Sequence, residues 1–409
     1  MNTTSRMAYA CSFDDRVRTV LPEAARRCPG LARRLREAAV DPAALTGVAD
    51  LDRVPVLSKD RLIDLQRDDP PFAGLVAPDA PVRRIFRSPG PLHEAELDCP
   101  DPWRWAPALR AAGFTGRDLV LNAFSYHLSP AGAMFEEAAR AVGSSVVPGG
   151  IGNLDLQVQT CVDLGVTAYI GLPSYLKTLL ERAEAAGLGP SRWQLERAFV
   201  AAEPLPDSLR AWLTARVPVV LQGYGTAETG NLGYETPDAA GLRVPDDALV
   251  QICDLSSGQA IYDDREGEVV VTIFDADAPV VRFGTGDLSA WASGGAAPPE
   301  PTPRIRGWLG RVGDAVKVRG MFLHPRQLSA VMGGVDGVDS YRFVIDRVDH
   351  RDVLRCELAT AAGADRTAVA DAVRSAVRDG LRFDVDVRAV GEPTAADGPI
   401  VDLRDWEQS

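Results

Sequence analysis

The apolar run Val217-Pro218-Val219-Val220-Leu221, followed at once by Gln222-Gly223-Tyr224-Gly225-Thr226-Ala227-Glu228-Thr229, decides the class of fold. A buried strand there runs into a glycine-rich segment that ends on a carboxylate. Glycines let backbone N–H groups approach a ligand, and Glu228 is suited to holding a cation. A tight strand-to-helix turn would use the same residues. Working outward, short apolar runs at 118–124, 145–147, 166–170 and 198–201 alternate with helical stretches. Alternation of this kind predicts an α/β domain with a largely parallel sheet. One helix is plainly marked: Pro173 and Ser174 open it, Leu176, Leu179, Leu180 and Ala183 form its stripe, and Gly187 closes it. Residues 17–39 also read as helical, with Leu21, Ala24, Ala25, Leu31 and Leu35 on one stripe and a break at Pro29.

Downstream of residue 245 the pattern turns to strands. The runs 248–254 and 268–274 flank the turn-rich Asp263-Asp264-Arg265-Glu266-Gly267, which predicts antiparallel pairing. Residues 293–303 read as a loop by composition. From 319 to 409 the order is strand, a helix at about 325–333, two strands, a helix at about 365–380 and a last strand, a small α+β domain. The boundary is placed at Arg311–Asp314, giving domains 1–311 and 312–409.

Composition narrows the function. The 409 residues are 46% hydrophobic and 25% charged, which excludes wholesale disorder. With 44 basic against 57 acidic residues, a net charge of −13, no nucleic-acid or membrane partner is expected. No apolar run approaches the ~20 residues of a membrane span, and the first residues lack a signal-peptide core, so a cytoplasmic location is expected. Six cysteines without a C-x-x-C pair and four dispersed histidines give no zinc cluster. Only Lys59, Lys177 and Lys317 are lysines, so any step needing one has three candidates.

Two further stretches carry chemistry. Arg282-Phe283-Gly284-Thr285-Gly286-Asp287-Leu288 offers a carboxylate on a glycine loop, suited to a ribose diol or to a simple turn. Gly310-Arg311-Val312-Gly313-Asp314-Ala315-Val316-Lys317-Val318-Arg319-Gly320 is basic and glycine-bounded, as a linker also is. Leu57-Ser58-Lys59-Asp60, Gly171-Leu172-Pro173-Ser174-Tyr175, Ala202-Glu203-Pro204 and Arg319-Gly320-Met321-Phe322-Leu323-His324-Pro325 complete the set. In order and spacing, from about residue 15 to the C-terminus, these motifs resemble the adenylate-forming superfamily, in particular phenylacetate–CoA ligases.

The resemblance implies a large N-terminal α/β domain for nucleotide and acid, and a small, mobile C-terminal α+β domain. It implies an acyl-adenylate made from a carboxylic acid and ATP, then a thioester with coenzyme A. Glu203, Glu228, Asp287, Arg311 and Lys317 fall to the nucleotide side. The segment 122–132 matches the acid pocket, with Phe124 and Tyr126 against a planar ring. Gly149, Gly150, Gly223, Tyr224, Gly225, Thr226 and Ala227 form the other walls. His127, in place of a commonly small residue, is the candidate general base; a helix-start residue of no chemical role is the plainer reading.

The ATP side departs from the family pattern. The phosphate loop, expected as a Ser/Thr/Gly run ending in Gly-Lys, is Phe86-Arg87-Ser88-Pro89-Gly90-Pro91-Leu92-His93-Glu94. Two prolines remove N–H donors there, and Glu94 repels phosphate. Ala227 stands where a hydroxyl is expected, Gly313 where an acidic residue is expected, and 394–399 holds no lysine. Each lost charge or donor typically costs ~3–4 kcal/mol of transition-state stabilisation. The leading expectation is therefore an acyltransferase similar to aryl-CoA:carrier-protein transferases such as those for anthranilate in secondary metabolism. It would move the acyl group from a coenzyme A thioester to the phosphopantetheine thiol of an acyl carrier protein, with ATP and magnesium dispensable. Oxyanion donors would be N–H groups of the glycine-rich walls. The alternatives are an ATP-dependent aryl-acid–CoA ligase and a non-catalytic partner in a biosynthetic complex. The region around Glu235 lacks the Cys and His of relatives that bind a structural metal, so none is expected.

Overall fold

A computed structural model describes residues 3–88, 90–189, 192–292, 302–312, 316–319, 321–323, 325–391 and 399–404. Helices α1 (Thr3–Cys11), α2 (Asp14–Arg27), α3 (Pro29–Glu37) and α4 (Lys59–Asp68) come first. The break between α2 and α3 falls at Cys28, because Pro29 has no N–H to extend α2 and starts α3 instead. A hairpin of β1 (Val82–Ser88) and β2 (Leu92–Leu97) follows. The α/β alternation then runs α5 (Ala106–Ala111), β3 (Leu119–Asn122), α6 (Ala131–Val142), β4 (Ser145–Pro148), α7 (Leu154–Leu164), β5 (Ala168–Gly171), α8 (Pro173–Ala185), β6 (Arg197–Ala201), α9 (Asp207–Thr214) and β7 (Val219–Thr226).

Strands β8 (Gly230–Thr236) and β9 (Ala239–Arg243) extend this sheet antiparallel, and β14 (Arg304–Ile305) closes its edge. Its order is β14-β9-β8-β7-β6-β5-β3-β4, with β4, β3, β5, β6 and β7 parallel. A second sheet has the order β11 (Ala260–Ile261), β10 (Ala248–Cys253), β12 (Gly267–Ile273), β13 (Val280–Ser289), β15 (Gly310–Arg311). As expected, β10 and β12 pair antiparallel, Ala248 opposite Ile273 through Cys253 opposite Glu268. The sheet faces α2 and α3 through a core that includes Leu21, Leu31, Leu35, Val250 and Val271. The parallel sheet buries an aromatic core of Trp105, Phe124, Phe135 and Phe199.

The remaining elements are β16 (Val316–Val318), β17 (Met321–Leu323), α10 (Pro325–Gly333), β18 (Val338–Val348), β19 (Arg351–Thr360), α11 (Arg366–Leu381), β20 (Asp386–Ala389) and β21 (Ile400–Asp402). They form an α+β body around the sheet β20-β19-β18-β21, with Phe343, Leu354, Val373 and Val377 in its core. Chain contacts divide the molecule into two compact units, 1–202 with 210–312 and 203–209 with 313–409. Residues 203–209, assigned to the first domain from sequence, thus group with the second. Among the described residues no helix is long and apolar enough to cross a membrane.

Candidate active site

The parallel sheet has one topological switch point. The chain passes from β3 to β4 on one side, then crosses to β5 on the other side of β3. Loops leaving the carboxyl ends of β3 and β5 diverge there, which is where open α/β sheets bind ligands. The loop after β3 carries Phe124, Tyr126 and His127. Its path is set by Asn122, fully buried, whose amide donates to the Tyr126 hydroxyl at 2.8 Å and to the Gly132 carbonyl at 2.7 Å. The Gly132 N–H returns to the Ser125 carbonyl at 2.8 Å, and a Cβ on Gly132 would lie 2.5 Å from that oxygen. The loop can fold onto α6 only because residue 132 has no side chain.

Within this loop the expected assignments separate. Tyr126 and His127 are exposed, and the His127 backbone N–H donates to Ser125 Oγ at 3.3 Å. Phe124 turns inward: its ring stacks on Phe135 with centroids 4.7 Å apart. Phe135 in turn meets Trp105 at 4.8 Å, and Trp105 meets Phe199 at 5.8 Å. A Cβ on Gly223 would lie 2.6 Å from ring atoms of both Phe199 and Trp105, and one on Gly225 2.7 Å from Trp105. The expected ring-sized pocket between Phe124 and the Gly223–Gly225 strand is therefore corrected. Aromatic side chains fill that space, and Phe124 is a core residue.

The glycines are corrected with it. Gln222–Thr226 lies in β7, which turns back into β8 rather than into a helix. The missing side chains of Gly223 and Gly225 leave room for Trp105. At the end of β4, the Gly149 N–H donates to the Val147 carbonyl at 2.9 Å and the Gly150 N–H to the Asn122 carbonyl at 3.0 Å. Both donors are spent, so neither supplies the oxyanion contact expected of them.

Tyr224, between the two glycines, faces the other side of β7. Its hydroxyl donates to Asp287 Oδ2 at 2.9 Å. Asp287, on strand β13 rather than on a loop, also pairs through Oδ1 with Arg311 at 2.8 Å and accepts from Trp308 Nε1 at 3.1 Å. Burial, with the Asp287 charge beside it, pushes the Tyr224 phenol well above its ordinary value, so it stays a donor. Two expected nucleotide-side residues, Asp287 and Arg311, are thus brought together, but with both Asp287 oxygens committed. Trp308 was not foreseen. Glu203 lies in the second unit, where its charge acts on Arg347. Lys317 has its backbone on β16, and its side chain, like residues 313–315 and 392–398, lies outside the described residues.

The turn after β7 completes a second cluster. Thr226 and Thr229 hydroxyls are 2.9 Å apart, with Ala227 between them. Glu228 forms an ion pair with Lys59, at the start of α4, at 2.5 Å. Burial favours the neutral acid, but the Lys59 ammonium outweighs it and holds Glu228 below the ordinary carboxylate range. Glu94, on β2 opposite Phe86, is 8% exposed. Burial first, then the nearby Glu228 charge, raise its carboxyl well above the ordinary range. Two carboxyl groups, one raised and one lowered, thus stand with the Lys59 ammonium at this end of β2 and β7. Lys59 is one of the three lysines that the sequence offers as candidates for chemistry, and the Leu57–Asp60 motif sets it at the start of α4.

Comparison with known proteins agrees with the architecture. The family model described as AMP-binding enzyme matches residues 110–272. Phenylacetate-coenzyme A ligase of Thermus thermophilus is 28% identical over 368 residues, 85% of this chain and 80% of that one. The Pseudomonas putida protein of the same name is 29% identical over 342 residues, 80% of this chain and 76% of that one. Among solved structures, 2-hydroxyisobutyryl-CoA ligase in complex with 2-HIB-AMP and CoA superposes with a TM-score of 0.89 at 22% identity, covering 98% of this chain and 91% of that one. Amide bond synthetase McbA from Marinactinospora thermotolerans gives 0.57 at 19% identity, over 77% and 66%. With the switch-point sheet, the β7–β8 turn and the Tyr224–Asp287–Arg311 cluster in place, the chain has the adenylate-forming enzyme fold and is similar to phenylacetate-coenzyme A ligases.

Proposed function

We propose that this chain is an acid–CoA ligase-type enzyme, one that places the acyl group of an organic acid, an aryl acid by the sequence resemblance, on a thiol as a thioester. The likeness to phenylacetate-coenzyme A ligase over 85% of the chain carries this reading. Glu228, Asp287 and Arg311 support it, since each is held by buried partners rather than left on the surface.

One observation favours a second reading. Glu94 and Glu228 put two carboxyl groups at the phosphate side, where the resemblance expects hydroxyls and a lysine. Transfer from a coenzyme A thioester to a carrier-protein phosphopantetheine thiol needs neither ATP nor magnesium. The incoming thiol would lose its proton to His127, its sulfur would form the new C–S bond, and coenzyme A would leave as a thiolate that takes up the proton. Thioester exchange is nearly isoenergetic, so base catalysis is what such a site must supply. The test incubates the protein with aromatic acid, ATP, magnesium and coenzyme A, or with aryl-CoA and phosphopantetheinylated carrier alone, and reads products by mass spectrometry. Acyl-CoA formed only with ATP, together with acid-dependent exchange of pyrophosphate into ATP, supports the ligase. Acyl-carrier formed without ATP, and no exchange, overturns it in favour of the transferase. Neither product would sink both.

A further inference from the structure

Beside the Lys59–Glu228 pair lies a cleft with a cavity of about 170 Å3, lined in part by Leu57, Leu92, Trp103 and Phe283. An apolar cavity of about 150 Å3 is enough to hold a benzene ring. Glu94 lines the same cavity, and its burial leaves it little contact with water. Ser88 stands next to it, but among the described residues no hydrogen bond of good geometry closes on either Glu94 oxygen or on the Ser88 hydroxyl. A buried carboxyl with two unsatisfied oxygens is costly unless something supplies the missing donors.

The cations nearby are committed elsewhere. Lys59 pairs with Glu228. Arg34 donates to the Val281 and Pro55 carbonyls at 2.9 and 3.1 Å. Arg104 donates to the Pro102 carbonyl at 3.0 Å and to that of Thr229. Of the other titratable groups on the lining, Asp275 accepts from the Asp277 and Ala278 N–H groups, and the buried His93 Nδ1 has no hydrogen-bond partner among the described residues. Among the described residues no well-aligned hydrogen-bond donor meets the Glu94 oxygens, although the Lys59 charge reaches them, and the lining sets apolar side chains beside Arg34, Arg104, Glu228 and Asp275.

We propose that this cavity binds a small organic ammonium, a primary amine carried on a single ring or short apolar chain, with Glu94 as its counter-ion. The ammonium would donate to both Glu94 oxygens while its apolar body fills the space between Leu57, Leu92, Trp103 and Phe283. The inference does not depend on which thioester reaction the enzyme runs.

Calorimetric titration of the full chain with benzylamine and with benzyl alcohol tests it. Benzylamine should bind at least tenfold more tightly than its neutral counterpart, with release of a proton measured in buffers of different ionisation enthalpy. Glu94→Gln should lose both the tenfold preference and the proton release while keeping the far-UV circular dichroism of the parent. Equal binding of amine and alcohol to the parent protein would overturn the proposal without recourse to any variant. So would unchanged benzylamine binding by Glu94→Gln, or failure to bind benzylamine at millimolar concentration.

Discussion

Replacing Gly223 by alanine asks whether the glycines of β7 serve packing or ligand approach. The added Cβ would lie 2.6 Å from Phe199 Cζ and from Trp105 Cζ3. Carbon atoms pack best at about 3.5–4.0 Å, so the neighbours must give by about 1 Å. Trp105 and Phe199 are held in turn by Phe135, and all three are buried, so the shift propagates into the aromatic core. Overpacking of this kind costs about 1–3 kcal/mol. At Gly225 the added atom meets the Gly230 carbonyl oxygen as well as Trp105, and backbone yields less than a side chain, so the loss should reach the upper end of that range or pass it.

Urea unfolding followed by circular dichroism gives the stabilities. Trimming the indole with Trp105→Phe should couple favourably to Gly223→Ala, by about 0.5–3 kcal/mol, but not to Gly225→Ala, where the carbonyl remains. Gly333→Ala, whose Cβ meets nothing within 4 Å at the end of α10, serves as the neutral control. A Gly223→Ala protein as stable as the parent and uncoupled to Trp105 would refute the packing argument. If that protein also lost acyl-CoA binding, the backbone-approach reading would replace it.

Three further outcomes follow from the charged clusters and the loop. Glu94, with its folded value raised, should make the parent protein lose stability as pH rises from the ordinary carboxylate range through that raised value, whereas Glu94→Gln should show a flatter profile; a parallel profile would refute the raised carboxyl. Glu228 works in the opposite sense, its contribution fading only as pH falls through its lowered value, and Lys59→Met, which strands it in a buried site, should cost about 3–5 kcal/mol by urea unfolding. His127→Ala should leave stability within about 0.5 kcal/mol, because the side chain is exposed, and should slow thioester transfer by about 10²–10⁴ if the imidazole is the base. Unchanged turnover would make His127 an ordinary surface residue.

Local pattern carried the architecture. The apolar runs at 118–124, 145–147, 166–170 and 198–201 fall on β3, β4, β5 and β6, and Pro173 opens α8, because strand burial and helix starts depend on residues a few positions apart. The β-branched runs gave β10 and β12 with their antiparallel sense for the same reason. The motif order alone was enough to recognise the adenylate-forming fold. What only the tertiary structure decided are contacts between residues remote in sequence. Gly-Tyr-Gly at 223–225 reads as a ligand loop until Trp105 is seen occupying the space a side chain would need. Phe124 and His127 lie three residues apart, yet one enters the core and the other reaches solvent, because Asn122 and Gly132 bend the loop between them. Lys59 and Glu228 meet across the fold, and Glu94 joins them from β2; Coulomb attraction and burial depend on distance in space, which residue spacing along the chain does not encode.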